Sequence, residues 1–160
     1  MCIYSYFMEQ TSRDALSAEC HLVANTCVGT NTRRLVRRVS QLFASHLAPL
    51  ALEPTQFSLL VACYIAGDVQ LTDLAGHLGM DRTTLARNLT PLVNKGFVQV
   101  RRGDDKRERR ITLTDSGRLM LERAMPFWRS AQNEIQVAFG KEKIELFLHT
   151  VAALEKSIRY

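Results

Sequence analysis

The 160-residue sequence predicts a mainly α fold with one small β-hairpin, and three observations carry that prediction. Apolar residues recur at spacings of three and four through most of the chain, the period of a helix with one buried face. Strict alternation is confined to two short runs, "FVQVR" and "RRITL", which bracket a charged "RGDDKRE". Turn residues such as Gly67, Gly79 and Gly96 fall where one pattern gives way to the next.

The helices follow in order. "NTRRLVRRVSQLFASHLAPL" puts Leu35, Val39, Leu42, His46 and Leu47 on one stripe, with Arg33, Arg34, Arg37 and Arg38 mostly off it, and stops near Pro49. "TQFSLLVACYIAG" carries Phe57, Leu60, Val61, Tyr64 and Ile65 before Gly67; a helix apolar on nearly all sides belongs at the centre. "QLTDLAGHLGM" predicts a short helix with Thr72 as its cap, Leu74, Ala75 and Leu78 inward, and Gly79 in the turn. From Asp81 to Lys95 a further helix buries Leu85, Leu89, Leu92 and Val93 and leaves Arg82, Thr83, Arg87, Asn88 and Asn94 outside. Pro91 removes a hydrogen bond inside it and predicts a kinked or loosened last turn. After the hairpin, a long helix starts at Thr114 and bends at Pro126, and a last one follows Gly140 with Ile144, Phe147, Leu148, Val151, Leu154 and Ile158 as a wide apolar stripe.

Charge adds a function class. Residues 81–114 hold nine of the 21 Lys and Arg residues against Asp81, Asp104, Asp105 and Glu108, a net +5 equal to the formal charge of the whole chain. A basic block on an otherwise balanced protein points to a polyanion, most simply nucleic acid. A solvated charged face is the competing reading of charge alone. The order of elements favours nucleic acid: a helix, a short glycine turn and a second helix is a helix-turn-helix, and the hairpin that follows is a wing. Arg reaches guanine O6 and N7, Asn serves adenine, and a Thr methyl packs on thymine. A wing can insert Arg into the narrow minor groove, and Asp105 stands close enough to Arg107 to orient its guanidinium.

The stretch "LTDLAGHLGMDRTTLARNLTPLVNKGFVQVRRGDDKRERRITLTDSG" resembles the MarR family of bacterial transcriptional regulators. It carries that family's wing pattern of Asp, any residue, Arg (Asp105, Lys106, Arg107) and its closing Leu-Thr-x-x-Gly (Leu113, Thr114, Gly117), and the likeness extends over roughly residues 27 to 159. Pro91, within "RNLTPL", departs from the commonest pattern. The resemblance implies a homodimer with one winged DNA-binding lobe per subunit, on a pseudo-palindrome near its own promoter. It implies a repressor, released by a small aromatic ligand or by thiol oxidation. Arg82, Thr83, Thr84 and Arg87 match the major-groove helix and Arg107 the wing tip; Asn88 and Arg109 complete the expected DNA-facing set.

One domain over residues 1–160 is expected, with the winged lobe at about 52–117 and a helical dimerisation region at about 20–50 and 118–160. A terminal helix as apolar as the last one needs a partner, and a two-fold operator needs a two-fold protein. No stretch approaches the roughly 18 apolar residues of a membrane span, which places the expected protein in the cytoplasm. The cysteines at 2, 20, 27 and 63 form no CxxC pair, the histidines add no ligand spacing, and neither metal nor cofactor is expected. Cys20 and Cys27, seven residues apart and near Arg33 and Arg34, are candidate redox sensors, because positive neighbours favour the reactive thiolate. The rival control site is a ligand pocket touched by Phe43, His46 or Trp128. The function from a different class is a thiol-dependent enzyme using Cys20 or Cys27, with Cys63 read as a plain core residue. No phosphate loop or nucleophile elbow supports catalysis.

Overall fold

A computed structural model describes residues 3–103, 105 and 108–158, with side chains from residue 15 onward. The chain divides into two compact units, residues 1–42 and 43–160.

In the first unit α1 (Ile3–Thr26) leads into α2 (Val28–Leu47), whose residues from Phe43 onward belong to the second unit. The sequence pattern predicts helix only from about Asn31, whereas helix runs from Ile3 with a single break at Cys27. Leu16, Leu22 and Val23 are exposed on the later part of α1, where side chains are described, and a stretch without a buried stripe leaves no periodic trace to read. Helical hydrogen bonding continues through the break: Cys27 N–H donates to Val23 O at 2.9 Å and Asn31 N–H donates to Cys27 O at 3.0 Å.

The second unit is built around α3 (Pro54–Ala66), which takes Pro54 in its first turn and buries Phe57, Leu59, Leu60 and Cys63. Leu59 replaces Tyr64 and Ile65 on the expected buried face; those two are 59% and 79% exposed. Spacing cannot select a face on a helix that is apolar nearly all round. The two-residue strand β1 (Val69–Gln70) precedes α4 (Leu71–His77), and α5 (Arg82–Asn94) follows. The hairpin is β2 (Val98–Arg102) with β3 (Arg109–Leu113), and β1 pairs with β3, giving an antiparallel sheet of order β1-β3-β2. Two residues carry no alternation, so β1 left no signal. Val98 lies opposite Leu113 and Val100 opposite Ile111; Val98 and Ile111 turn inward to join Leu74, Leu85, Leu89 and Leu92 in one core.

Other expectations change in detail. Gln70, not Thr72, occupies the N-cap of α4, and no side chain caps it. Val93 is 38% exposed, outside the buried stripe of α5. Pro91 leaves the last turn of α5 intact: Lys95 N–H donates to Pro91 O at 3.1 Å, and Gly96 and Phe97 close the helix with bonds to Val93 O and Leu92 O. That pairing is a Schellman motif, and it uses Gly96 at φ +71°.

Helix α6 (Asp115–Phe139) starts where the wing ends. Thr114 caps it, accepting from Gly117 N–H at 3.0 Å while its own hydroxyl donates to Gly96 O at 2.7 Å. Thr114 N–H also donates to Phe97 O at 3.0 Å, so the two ends of the hairpin and the start of α6 meet at one point. A Cβ on Gly117 would lie 2.1 Å from Phe97 O, which is why glycine closes the Leu-Thr-x-x-Gly pattern. Helix α6 runs past Pro126 to Phe139, and α7 (Lys141–Ser157) packs on it with none of its residues buried. Among the described residues no single helix is long and apolar enough to cross a membrane.

Candidate nucleic-acid interface

Helices α4 and α5 form the helix-turn-helix. The turn is a second Schellman motif, with Gly79 N–H on Gly76 O and Met80 N–H on Ala75 O, and Gly79 adopts the φ of +61° that it requires. Asp81 then caps α5: one carboxylate oxygen accepts from Thr84 N–H at 2.9 Å and the other from the Thr84 hydroxyl at 2.7 Å. These bonds, the hydroxyl's first, hold the Asp81 carboxyl below its ordinary range, as expected when hydrogen bonds favour the charged form.

The cap sorts the expected DNA-facing residues. Arg82, Thr83 and Arg87 are exposed on α5, and Asn88 is half-buried. Thr84 instead turns its hydroxyl back to Asp81, so its part is to fix the cap. Arg82 and Arg109 line one small cleft with Gln70, Leu71, Thr72 and Glu108, which brings the start of α5 and the outer end of β3 together. Asp105 is exposed and its carbonyl accepts from Glu108 N–H at 2.9 Å. Arg107 lies outside the described residues, as do Asp104 and Lys106.

Several basic residues of the block serve the fold, which charge counting did not distinguish. Lys95 Nζ donates to Ala51 O at 2.9 Å and to Gln56 Oε1 at 3.2 Å, tying the end of α5 to the first turn of α3 and the segment before it. Asp68, just past the Gly67 that ends α3, receives Arg110 Nε on both carboxylate oxygens at 3.0 and 3.1 Å, and Arg101 Nη2 on one of them. Arg110 Nη2 also donates to Asp68 O at 2.7 Å. The Arg110 bond first, then the two positive charges, holds the Asp68 carboxyl below its ordinary range. The sequence carried a signal for this cluster: an acidic residue beside a helix-ending glycine, with arginines at facing hairpin positions.

The expected control sites are placed as follows. Cys20 is exposed, Cys27 is half-buried between α1 and α2, and Cys63 is buried, its thiol pushed up to about 11 by burial. Thr30, through its hydroxyl and then its backbone N–H, lowers the Cys27 thiol; Arg33 contributes least, and Arg34 is occupied with Asn31 Oδ1 at 2.6 Å. The expected arginine activation is therefore mostly a threonine effect. Trp128 lines an open groove with Phe57, Ser58, Val61 and Met125, whereas His46 Nε2 bonds Glu134 Oε2 at 2.9 Å and Phe43 is half-buried on α2. On α7, Ile144 and Val151 are half-buried, while Phe147, Leu148, Leu154 and Ile158 are exposed. Among the described residues no His, Cys, Asp and Glu side chains gather to hold a metal ion.

A family model described as MarR family matches residues 52–109. The transcriptional regulator MosR of M. tuberculosis, solved in complex with DNA, is 33% identical; the match covers 84% of this chain and 99% of that one, with a TM-score of 0.73. The transcriptional repressor CouR, bound to a 23-mer DNA duplex, is 26% identical over 83% of this chain and 95% of that one, with a TM-score of 0.76. An uncharacterized HTH-type transcriptional regulator of Bacillus subtilis (strain 168), YwoH, is 26% identical over 113 residues, 71% of this chain and 82% of its own length.

Proposed function

The chain belongs to the MarR family, and on that premise we propose that it is a transcriptional regulator that binds double-stranded DNA sequence-specifically, as a homodimer on a pseudo-palindromic operator. The observation that carries this reading is the outer face of α5, where a helix capped by Asp81 presents Arg82, Thr83 and Arg87 beside a basic wing. Arg87 and Arg82 read guanine edges, Thr83 packs on thymine or bonds phosphate, and Asn88 supports them from a half-buried position. Arg107, the wing residue expected at the tip, and Arg109 extend the contact to the flanking minor groove. The exposed apolar residues of α7 and its C-cap, Phe147, Leu148, Leu154 and Ile158, support pairing with a second copy. The relatives it matches are transcriptional regulators, and the protein's work is binding in the cytoplasm rather than turnover.

The regulator acts as a repressor released by a small aromatic ligand or by oxidation of Cys20 or Cys27. Of the two routes, oxidation has the more specific support, because Thr30 favours the Cys27 thiolate. That thiolate attacks a peroxide oxygen, the O–O bond breaks, and the hydroxide or alkoxide that leaves takes a proton from solvent, giving a cysteine sulfenic acid and water or an alcohol. A gel shift on DNA upstream of its own gene, repeated with peroxide and with a panel of aromatic acids, tests the reading. Saturable, competitor-resistant binding is expected. Peroxide should release wild type but not a Cys20→Ser, Cys27→Ser variant. No preference over random DNA refutes sequence-specific regulation, and equal release of both proteins by peroxide refutes the thiol route.

A further inference from the structure

We infer that Asp68 is a positioning residue for DNA binding, a brace that holds the outer part of the wing's strands, next to the tip, against the end of α3 by engaging two strand arginines at once. The inference rests on the DNA-binding reading above. Arg101 on β2 and Arg110 on β3 are directly opposed in the hairpin register, and like charges directly opposite each other destabilise a strand pair. Asp68 resolves that conflict from outside the hairpin. Its carboxylate accepts from both guanidinium groups, and its carbonyl accepts a further bond from Arg110. Planar guanidinium forks fix direction as well as distance, so the trio sets how the hairpin leaves the body.

The carboxylate itself is held in place from the other side. Gly67, at φ +66°, ends α3 with its N–H on Cys63 O at 3.1 Å, and the chain passes through Asp68 directly into β1, whose Val69 and Gln70 pair with Ile111 and Arg110. Helix end, brace and edge strand thus converge on one point at the outer end of β3. An acidic residue on a DNA-binding lobe ordinarily lowers affinity by repelling phosphate, and removing it should tighten binding to any sequence. The brace predicts the opposite for operator DNA, since a wing that leaves at the wrong angle loses register with the α5 contacts.

The test is Asp68→Asn in the full chain, which nearly keeps size while removing the charge that two arginines share. Hydrogen exchange of the β2 and β3 amides without DNA should accelerate at least several-fold. Operator affinity should fall about tenfold or more, while affinity for unrelated DNA holds or rises. A second variant, Asp68→Asn with Arg101→Gln, removes the opposed charges and should return exchange towards wild type without restoring operator affinity. Unchanged exchange in Asp68→Asn, or operator binding as tight as wild type, overturns the brace. Because exchange is read without DNA, its outcome is separable from failure of the wild-type chain to prefer any operator, which would instead overturn the regulator reading.

Discussion

Gly117→Ala pits helix propensity against a steric contact, and the structure decides which wins. Gly117 lies in the first turn of α6, so propensity alone predicts that alanine stabilises by about 1 kcal/mol. The added Cβ would lie 2.1 Å from Phe97 O and 2.8 Å from Leu113 Cδ1. A backbone carbonyl cannot yield as a flexible side chain does, and C···O contacts are normally about 3.3 Å or more, so the start of α6 must move away by roughly 1 Å. Overpacking of this kind costs about 1–3 kcal/mol. The movement also strains the Thr114 bond to Phe97 O and the Gly117 bond to Thr114 Oγ1, about 1 kcal/mol each. Net of propensity, we expect a loss of about 2–4 kcal/mol, or a melting point lower by roughly 5–15 °C for a chain of this size. Urea denaturation and calorimetry measure it, with Gly76→Ala in α4, where a Cβ meets nothing within 4 Å, as the control expected to be neutral or mildly stabilising. If Gly117→Ala proves as stable as wild type, the meeting of wing and α6 is not the tight junction described.

Arg87→Ala should weaken operator binding by about 1–3 kcal/mol with little change on unrelated DNA; equal loss on both, in a fluorescence titration, would mean that Arg87 meets only phosphate. Val151→Asp, at the centre of the α7 stripe, should give monomers or insoluble protein by sedimentation, since an unpaired carboxylate in an apolar interface costs several kcal/mol; a soluble DNA-binding dimer would place the interface elsewhere. Burial raises the Cys63 thiol from 9.0 to about 11, so the folded state holds its proton longer than the unfolded chain does. The stabilisation is complete below the unfolded value and is lost as pH rises through the folded one, by about 3 kcal/mol at about 1.4 per unit. Cys63→Ala should flatten that part of the stability profile between pH 9 and 11, and an unchanged slope would assign the fall to other groups.

What was legible in the sequence was whatever repeats. Leu85, Leu89 and Leu92 announced both α5 and its inner face, because a half-buried helix writes its burial into the spacing. The hairpin showed itself by alternation and the start of α5 by Asp81. Features without a period stayed hidden: the two residues of β1, the exposed later part of α1, and the buried face of α3, where Leu59 displaces Tyr64 because nearly every position is apolar. The outward set of α5 was legible for the same reason as its core, as the complement of the buried stripe. Thr84 was the exception, since its hydroxyl is claimed by a residue three positions earlier and no pattern separates that role from a base contact.

Charge behaves differently from periodicity, because a count cannot tell a cation aimed at phosphate from one that holds the protein together. Nine basic residues in the block pointed to nucleic acid, yet Lys95 spends its ammonium on Ala51 O and Gln56, and Arg101 and Arg110 share Asp68. Those three sit where α5 and the hairpin join the rest of the lobe, and each meets an acceptor far away in sequence. The same positive charge therefore has two uses at two depths: near the body it sets the angles of α5 and the wing, and further out, at Arg82 and Arg87, it faces solvent. Electrostatic attraction to a duplex needs only the outer group, whereas reading a particular operator needs both, since base contacts are worth their energy only when the helix and wing that carry them arrive in register.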